Sequence, residues 1–148
     1  MGDDRRRERV QESVMLDVPV RRYVTKKLIG VEKETSIQKS VARMVDFDIS
    51  SLTVTEGENV VGFLTDSDIK RRVVAGGVSP SEPIESVMTR DLITADINST
   101  VKDVLAVMSE HSIKHVLITE EGGIVGILTL RDIEDVGRQK LETYIARE

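Results

Sequence analysis

The sequence contains no cysteine and no tryptophan, and only 3% of its 148 residues are aromatic. Without cysteine, disulfide bonds and thiolate metal sites are excluded, and the cytoplasm is the expected compartment. Apolar runs are only a few residues long, so we expect neither a signal peptide nor insertion into a membrane. The absences therefore favour an ordinary globular protein that depends on its core alone.

The chain also has no net positive charge, since 26 acidic residues outnumber 21 lysines and arginines and the formal net charge is −5, with 32% charged residues. Binding to nucleic acid depends on phosphate neutralisation and on base stacking, and this composition opposes both. The arginines near the start alternate with Asp3, Asp4 and Glu8, which is typical of a terminal tail. We therefore expect no nucleic-acid partner.

An internal repeat dominates the sequence. Shifting the chain by 64 residues places Pro19–Arg72 on Pro83–Val136 without a gap, and 15 of the 54 aligned pairs are identical. About three identities are expected from composition alone. The chain therefore consists of two related units.

The residue pattern of each unit predicts the order βαββα. A short strand, Leu28–Val31 or Leu92–Ala95, precedes a helix with N-cap candidates Thr35-Ser36 or Ser99-Thr100, for which Gln38 and Asp103 are the capping-box partners. A final helix follows two strands that are joined by a glycine-containing turn, Leu52–Thr55 and Val60–Leu64 in the first copy and Val116–Thr119 and Ile124–Leu128 in the second. Further apolar positions define the expected buried faces of the helices: Ile37, Val41, Met44, Val45, Ile69, Val73 and Val74 in the first copy, and Val101, Val104, Leu105, Met108, Ile133 and Val136 in the second.

The predicted architecture is α/β (α+β), with two βαββα units packed sheet to sheet and related by pseudo-two-fold symmetry. We expect an N-terminal tail or helix over 1–18, the first unit over 19–75, a linker over 76–82, the second unit over 83–137 and a C-terminal helix over 138–148.

A threonine followed three residues later by an aspartate ends the third strand of both units, as Thr65 and Asp68 and as Thr129 and Asp132. One interpretation is a capping box, in which both side chains satisfy helix N–H groups. The other is ligand contact, because a carboxylate beside a helix N-terminus can accept hydrogen bonds from a ribose diol. The residues alone leave both interpretations open.

Catalysis and metal binding have little support. No residue pattern selects an activated nucleophile or an acid–base pair, so we expect no enzyme activity. His111 and His115 would share a face of one helix, but the pattern ends the helix at His111 and starts a strand near His115. We therefore expect no metal site.

The ending Gly-h-h-Thr-x-x-Asp-Ile (h, a hydrophobic residue), the start Met88-Thr-x-x-Leu-Ile-Thr94 and the middle Ile113-Lys-His-Val116 resemble the cystathionine-β-synthase (CBS) domain. Two copies in tandem resemble a Bateman module of the stand-alone prokaryotic type. The resemblance implies clefts that bind AMP, ADP, ATP or S-adenosylmethionine as a regulatory ligand, with no catalytic cofactor. It also implies a homodimer and a separate effector enzyme or transporter.

Carried onto this sequence, the resemblance implies that Asp68 and Asp132 hold ribose hydroxyls and that Thr65 and Thr129 contact ribose or phosphate. The walls of the adenine pockets would be Ile29, Gly30, Val31, Ile49, Ser51 and Leu52 in the first copy, and Ile93, Thr94, Ala95, Ile113 and Val116 in the second. Lys114, His115 and Arg131 are the nearest cations for phosphate.

The two copies differ within these motifs. Gly30, Ser51 and Ser67 of the first correspond to Thr94, His115 and Arg131 of the second, whereas the basic run Lys70 to Arg72 lies beyond the first motif. If one site is occupied, we therefore expect it to be the one holding Asp132. The predicted function is an adenine-nucleotide sensor that modulates a partner; the alternative is a ligand-free module for dimerisation or docking.

Overall fold

The computed structural model describes Arg5 and residues 16–135. The predictions for the rest of the N-terminal tail, for Val136 and for the C-terminal helix lie outside these residues. The described chain forms two compact units. Leu28–Leu92 is one unit, and the described residues up to Lys27 together with those from Ile93 onward form the other.

The contiguous unit contains a three-stranded sheet in the order β1 (Gly30–Glu32), β2 (Ser51–Glu56), β3 (Asn59–Thr65). β1 is parallel to β2, and β2 is antiparallel to β3. Helix α1 (Ile37–Phe47) connects β1 to β2, and after β3 the short helix α2 (Asp66–Asp68) continues as a π-helix, Ile69–Val74.

The second unit repeats this order. Its sheet is β4 (Thr94–Asp96), β5 (His115–Glu120), β6 (Gly123–Thr129), with the same parallel and antiparallel pairing. Helix α3 (Val101–His111) connects β4 to β5, and helix α4 covers 130–135. The predicted α/β fold with two βαββα units is therefore confirmed.

Each sheet is extended at its third strand by a segment that the sequence repeat assigns to the other copy. Thr89 forms an antiparallel bridge with Phe63 in the first unit, and Thr25 forms one with Ile127 in the second. The compact units are therefore offset from the repeats by one segment of chain.

The same segments contribute to the cores. Ile84, Val87 and Met88 are buried in one cluster with residues of the first sheet, such as Leu64. Val20 is buried in the other cluster with residues of the second sheet. Short 3₁₀ turns, Val20–Arg22 and Ile84–Ser86, bring these apolar side chains inward.

Helix starts follow the capping prediction closely but not at every residue. Thr100 and Asp103 form a reciprocal capping box at α3. At α1 the N-cap is Ser36, which accepts from the N–H of Lys39, so Gln38 was the wrong partner. The predicted pair of Thr35 and Gln38 lies one residue before the observed pair of Ser36 and Lys39.

Two apolar residues predicted to be buried lie at the surface. Val45 on α1 and Val74 at the end of the π-helix are each 73% exposed. At α1, Ser40 is fully buried and donates to the Ser36 carbonyl at 2.8 Å. The small side chain of Ser40 thus lies on the buried face of α1, while Val45 lies on its exposed face.

Candidate functional site

The turn after β3 is built around the buried carboxylate of Asp68, which is 6% exposed. Its Oδ2 accepts from the Thr65 N–H at 2.9 Å and from the Thr65 Oγ1 at 3.1 Å. The Asp68 N–H donates in return to the Thr65 hydroxyl at 3.4 Å. One carboxylate oxygen is therefore fully committed to the capping box.

The turn after β6 has the same design but a more accessible carboxylate. Asp132 Oδ2 accepts from the Thr129 N–H at 3.1 Å, and the Asp132 N–H donates to the Thr129 hydroxyl at 3.1 Å. Asp132 is half-buried. The capping interpretation is therefore correct in both units.

Capping by itself does not identify a ligand site, because Thr100 and Asp103 make the same reciprocal bonds at the start of α3. The backbone and side-chain hydrogen bonds with Thr100 lower the pKa of Asp103 below its usual value of 3.8. Ligand contact by Asp68 and Asp132 therefore stays a prediction that depends on what surrounds each turn.

Strand pairing brings the predicted residues of the first unit together. Thr65 is paired with Ser51, and the Asp66 N–H donates to the Ser50 carbonyl at 3.0 Å. Gly30 is paired with Thr53, two residues further along β2. The starts of β1 and β2 and the end of β3 thus lie at the same end of the sheet.

The second unit repeats this arrangement. Thr129 is paired with His115, and the Leu130 N–H donates to the Lys114 carbonyl at 2.9 Å. Thr94 is paired with Leu117. The side chains of Lys114 and Arg131 are exposed, whereas His115 is half-buried.

Gly30 differs from Thr94 for a steric reason. A Cβ at Gly30 would lie 2.5 Å from Thr53 Oγ1 and 3.0 Å from the Thr53 carbonyl oxygen. In the second unit Thr94 stands at the corresponding position and is paired with Leu117. The first unit therefore has less side-chain bulk at the start of β1.

Two arginines in the first unit reach the site, although sequence reasoning placed them beyond the motif. Arg71 Nη2 and Arg72 Nη2 lie 3.8 Å and 3.6 Å from Asp68 Oδ1. Arg72 Nη1 also donates to the Val87 carbonyl at 2.8 Å. The signal was their spacing, three and four residues after Asp68 on a helix.

An apolar pocket of 360 Å³ lies between α1 and the start of α2. Of the predicted ligand-binding residues it includes Ile49 and no other; its lining is Val41, Met44, Val45, Asp48, Ile49, Asp66 and Ile69. The pocket therefore adjoins the turn after β3, although neither Thr65 nor Asp68 lines it.

The histidine geometry follows the prediction, because α3 ends at His111 and β5 begins at His115. Between them Ser112 adopts a left-handed conformation with a φ of 53°. In the described ranges, no group of three or more histidine, aspartate or glutamate side chains is placed to hold a metal ion. None of the helices described there is long and apolar enough to cross a membrane.

Comparison with solved structures supports this description of the fold. An uncharacterised conserved protein from Pyrococcus horikoshii has a TM-score of 0.80 and 49% sequence identity, covering 83% of this chain and 94% of that one. The CBS domain pair of protein MJ0100, solved in complex with 5-methylthioadenosine and S-adenosylmethionine, has a TM-score of 0.75 and 28% identity, covering 84% and 98%.

Sequence comparison leads to the same group of proteins. The CBS domain-containing protein YhcV of Bacillus subtilis is 28% identical over 114 residues, which are 77% of this chain and 81% of YhcV. The family model for the CBS domain matches residues 20–75 and again residues 84–137. These two matches span most of the sequence, and the chain therefore belongs to the CBS domain family as a tandem pair.

Proposed function

We propose that the chain is a regulatory module that binds an adenosine-type ligand and modulates a partner protein. The observation that carries the proposal is the likeness to the MJ0100 pair, whose structure contains two adenosine compounds. Both units of this chain offer a Thr-x-x-Asp turn beside the starts of two strands, which is suitable for a nucleoside. The proposed role is binding and signalling, without catalysis.

At the level of residues, each aspartate contributes Oδ1 to a ribose diol, because Oδ2 is engaged by its threonine. A ligand hydroxyl donating to a carboxylate forms a charge-assisted bond, which is stronger than a neutral one. The adjoining backbone of Ile29–Val31 and Ile93–Ala95 would form the side of the nucleobase pocket.

The mechanism proposed is a shift of population. A ligand that binds one arrangement of the chain more tightly than another changes the affinity for a partner by the ratio of its two affinities. A separate effector enzyme or transporter would detect that change. Both the effector and the cytoplasmic location remain predictions.

A homodimer is the second part of the proposal. The large apolar side chains Val45, Phe47 and Val74 are 73%, 46% and 73% exposed. Contiguous exposed apolar patches mark contact surfaces, and Val45 and Phe47 on α1 are the candidates for such a patch. Light scattering should give twice the mass of one chain, and Val45→Lys should reduce it if α1 is in the interface.

Isothermal titration calorimetry tests ligand binding. AMP, ADP, ATP, 5-methylthioadenosine and S-adenosylmethionine would each be titrated into the wild-type chain, Asp68→Asn and Asp132→Asn. Asp103→Asn is the matched control, since it alters an equivalent capping box on a helix outside the proposed sites. We expect at least one compound to bind, and its affinity to fall in a site variant but not in the control.

The outcomes separate two claims. No heat of binding with any of the five compounds would refute the sensor function and favour a ligand-free assembly module. Binding that survives both site substitutions would leave an adenosine-binding role but refute the residue assignment.

A further inference from the structure

We infer that the first unit's site selects adenosine ligands that carry phosphate, with Arg71 and Arg72 as the phosphate-binding residues. The inference rests on the proposed function and specifies the class of ligand at one of the two sites. The charges around Asp68 support it.

The Asp68 side chain is only 8% exposed, so its negative charge needs compensation. Arg71 and Arg72 provide that compensation at Oδ1, the oxygen that the capping box leaves available. In the absence of ligand, the group proposed to hold a ribose diol is therefore already paired with cations.

Arg72 combines a fixed position with access to solvent. Its Nη1 is held by the Val87 carbonyl at 2.8 Å, while 43% of its side chain is exposed. Arg71 is 73% exposed, and its Nε donates to the Ser67 carbonyl at 3.4 Å. Both guanidinium groups can therefore meet a charged ligand at this turn.

Arg71 and Arg72 have no basic counterpart in the second copy, whose own cations, Lys114, His115 and Arg131, lie at other positions of the motif. The repeat places Glu134, Asp135 and Val136 at the positions of Lys70, Arg71 and Arg72. After the second Thr-x-x-Asp turn, acidic residues thus stand at two of the positions that are basic after the first. The two sites are consequently expected to differ in the ligand charge they accept.

Exchange of partners explains the selectivity. A ribose diol that takes Asp68 Oδ1 competes with the two guanidinium groups, and removing a partner from a buried charge is costly. A phosphorylated ligand supplies a new anion to the arginines in the same step, and arginine binds phosphate through charge-assisted bonds. Unphosphorylated adenosine supplies none, so it should bind this site more weakly.

Calorimetry with AMP and adenosine tests the inference in the Asp132→Asn chain, where the first site is studied without the second. We expect AMP to bind at least about tenfold more tightly than adenosine, which corresponds to about 1.4 kcal/mol. Arg72→Gln and Arg71→Gln should each reduce AMP affinity while leaving adenosine affinity equal or higher.

Lys70→Gln is the matched control, because it removes one positive charge from the adjacent position. It should change AMP affinity less than twofold, since general charge effects are screened at physiological salt, about 0.15 M, with a Debye length of about 8 Å. Circular dichroism would verify that each variant is folded.

Three results would overturn the inference. AMP and adenosine could bind the Asp132→Asn chain equally, or each arginine substitution could weaken both ligands to the same extent, as a structural role would. The Asp132→Asn chain could also bind neither, while the wild type binds an adenosine compound. That last result refutes the selectivity of the first site and leaves the proposed function intact. If the wild-type chain binds no adenosine compound, both are refuted.

Discussion

Gly126 in β6 is predicted to be far more sensitive to alanine than Gly62, its counterpart in β3. A Cβ at Gly126 would contact Val24 Cγ1 and lie 2.7 Å from the Thr25 carbonyl oxygen. That carbonyl is fixed by the bridge in which Thr25 and Ile127 exchange two hydrogen bonds of 3.0 Å. The added methyl therefore meets backbone that cannot move without breaking the bridge.

At Gly62 the obstacle is a side chain. A Cβ there would contact Met88 Sδ and lie 2.8 Å from Met88 Cγ. Methionine has three rotatable bonds and adapts to irregular space, so this contact can be relieved by a change of rotamer. Neither glycine has a positive φ, so alanine suits both backbones.

The magnitudes follow from these contacts. Overpacking costs about 1–3 kcal/mol, and each bridging hydrogen bond contributes about 1 kcal/mol. Alanine restricts the unfolded chain and returns about 0.4–1 kcal/mol. We therefore expect Gly126→Ala to lower the free energy of unfolding by about 2–4 kcal/mol and Gly62→Ala by about 1 kcal/mol or less.

Urea unfolding followed by circular dichroism measures both values. Adding Val24→Ala to Gly126→Ala should recover less than half of the loss, because the Thr25 carbonyl stays in place. Equal losses for the two glycine variants, or full recovery with Val24→Ala, would refute the argument that the backbone contact dominates.

Three smaller predictions follow from local contacts. Thr100→Ala should destabilise the chain by about 1 kcal/mol in urea, and Ser36→Ala by less, since only Thr100 belongs to a reciprocal box; equal losses would contradict this. Because the folded pKa of Asp103 is lowered, its stabilisation is present above the unfolded value and lost as pH falls through the folded one. The stability difference between wild type and Asp103→Asn should therefore shrink in acid, and a constant difference from pH 7 to 2 would argue against that. Gly30→Ala should lower the free energy of unfolding by about 1–3 kcal/mol. In a double-mutant cycle, that loss should be smaller when Thr53→Ala is also present, and additive losses would contradict the steric explanation.

The repeat and the glycine-containing turns predicted the fold well, because each strand and helix is encoded by a short stretch of sequence. β5 and β6, for example, extend the predicted strands by only one residue at each end. The N-cap candidates Ser99-Thr100 also predicted the start of α3, whose N-cap is Thr100. Local patterns of this kind depend on neighbours within a few residues.

What the sequence did not predict depends on contacts between distant residues. Nothing near Thr25 indicates that it pairs with Ile127, and nothing near Arg72 indicates the Val87 carbonyl as its partner. The exposure of Val45 likewise depends on which side of α1 meets the sheet. The Thr-x-x-Asp turns were found because their capping chemistry is local, and residues that differ within the motifs predicted unequal sites. The pairing of Arg71 and Arg72 with Asp68 was not predicted.

The offset between the repeats and the compact units determines the order in which the two units can fold during synthesis. Every segment of the Leu28–Leu92 unit is synthesised before β4, and its bridge joins Phe63 to Thr89, close in sequence. Thr25, made earlier, must wait for Ile127, about 100 residues later, which at about 5–20 residues per second takes about 5–20 seconds. The Leu28–Leu92 unit is therefore expected to become protease-resistant before the segment that holds Thr25.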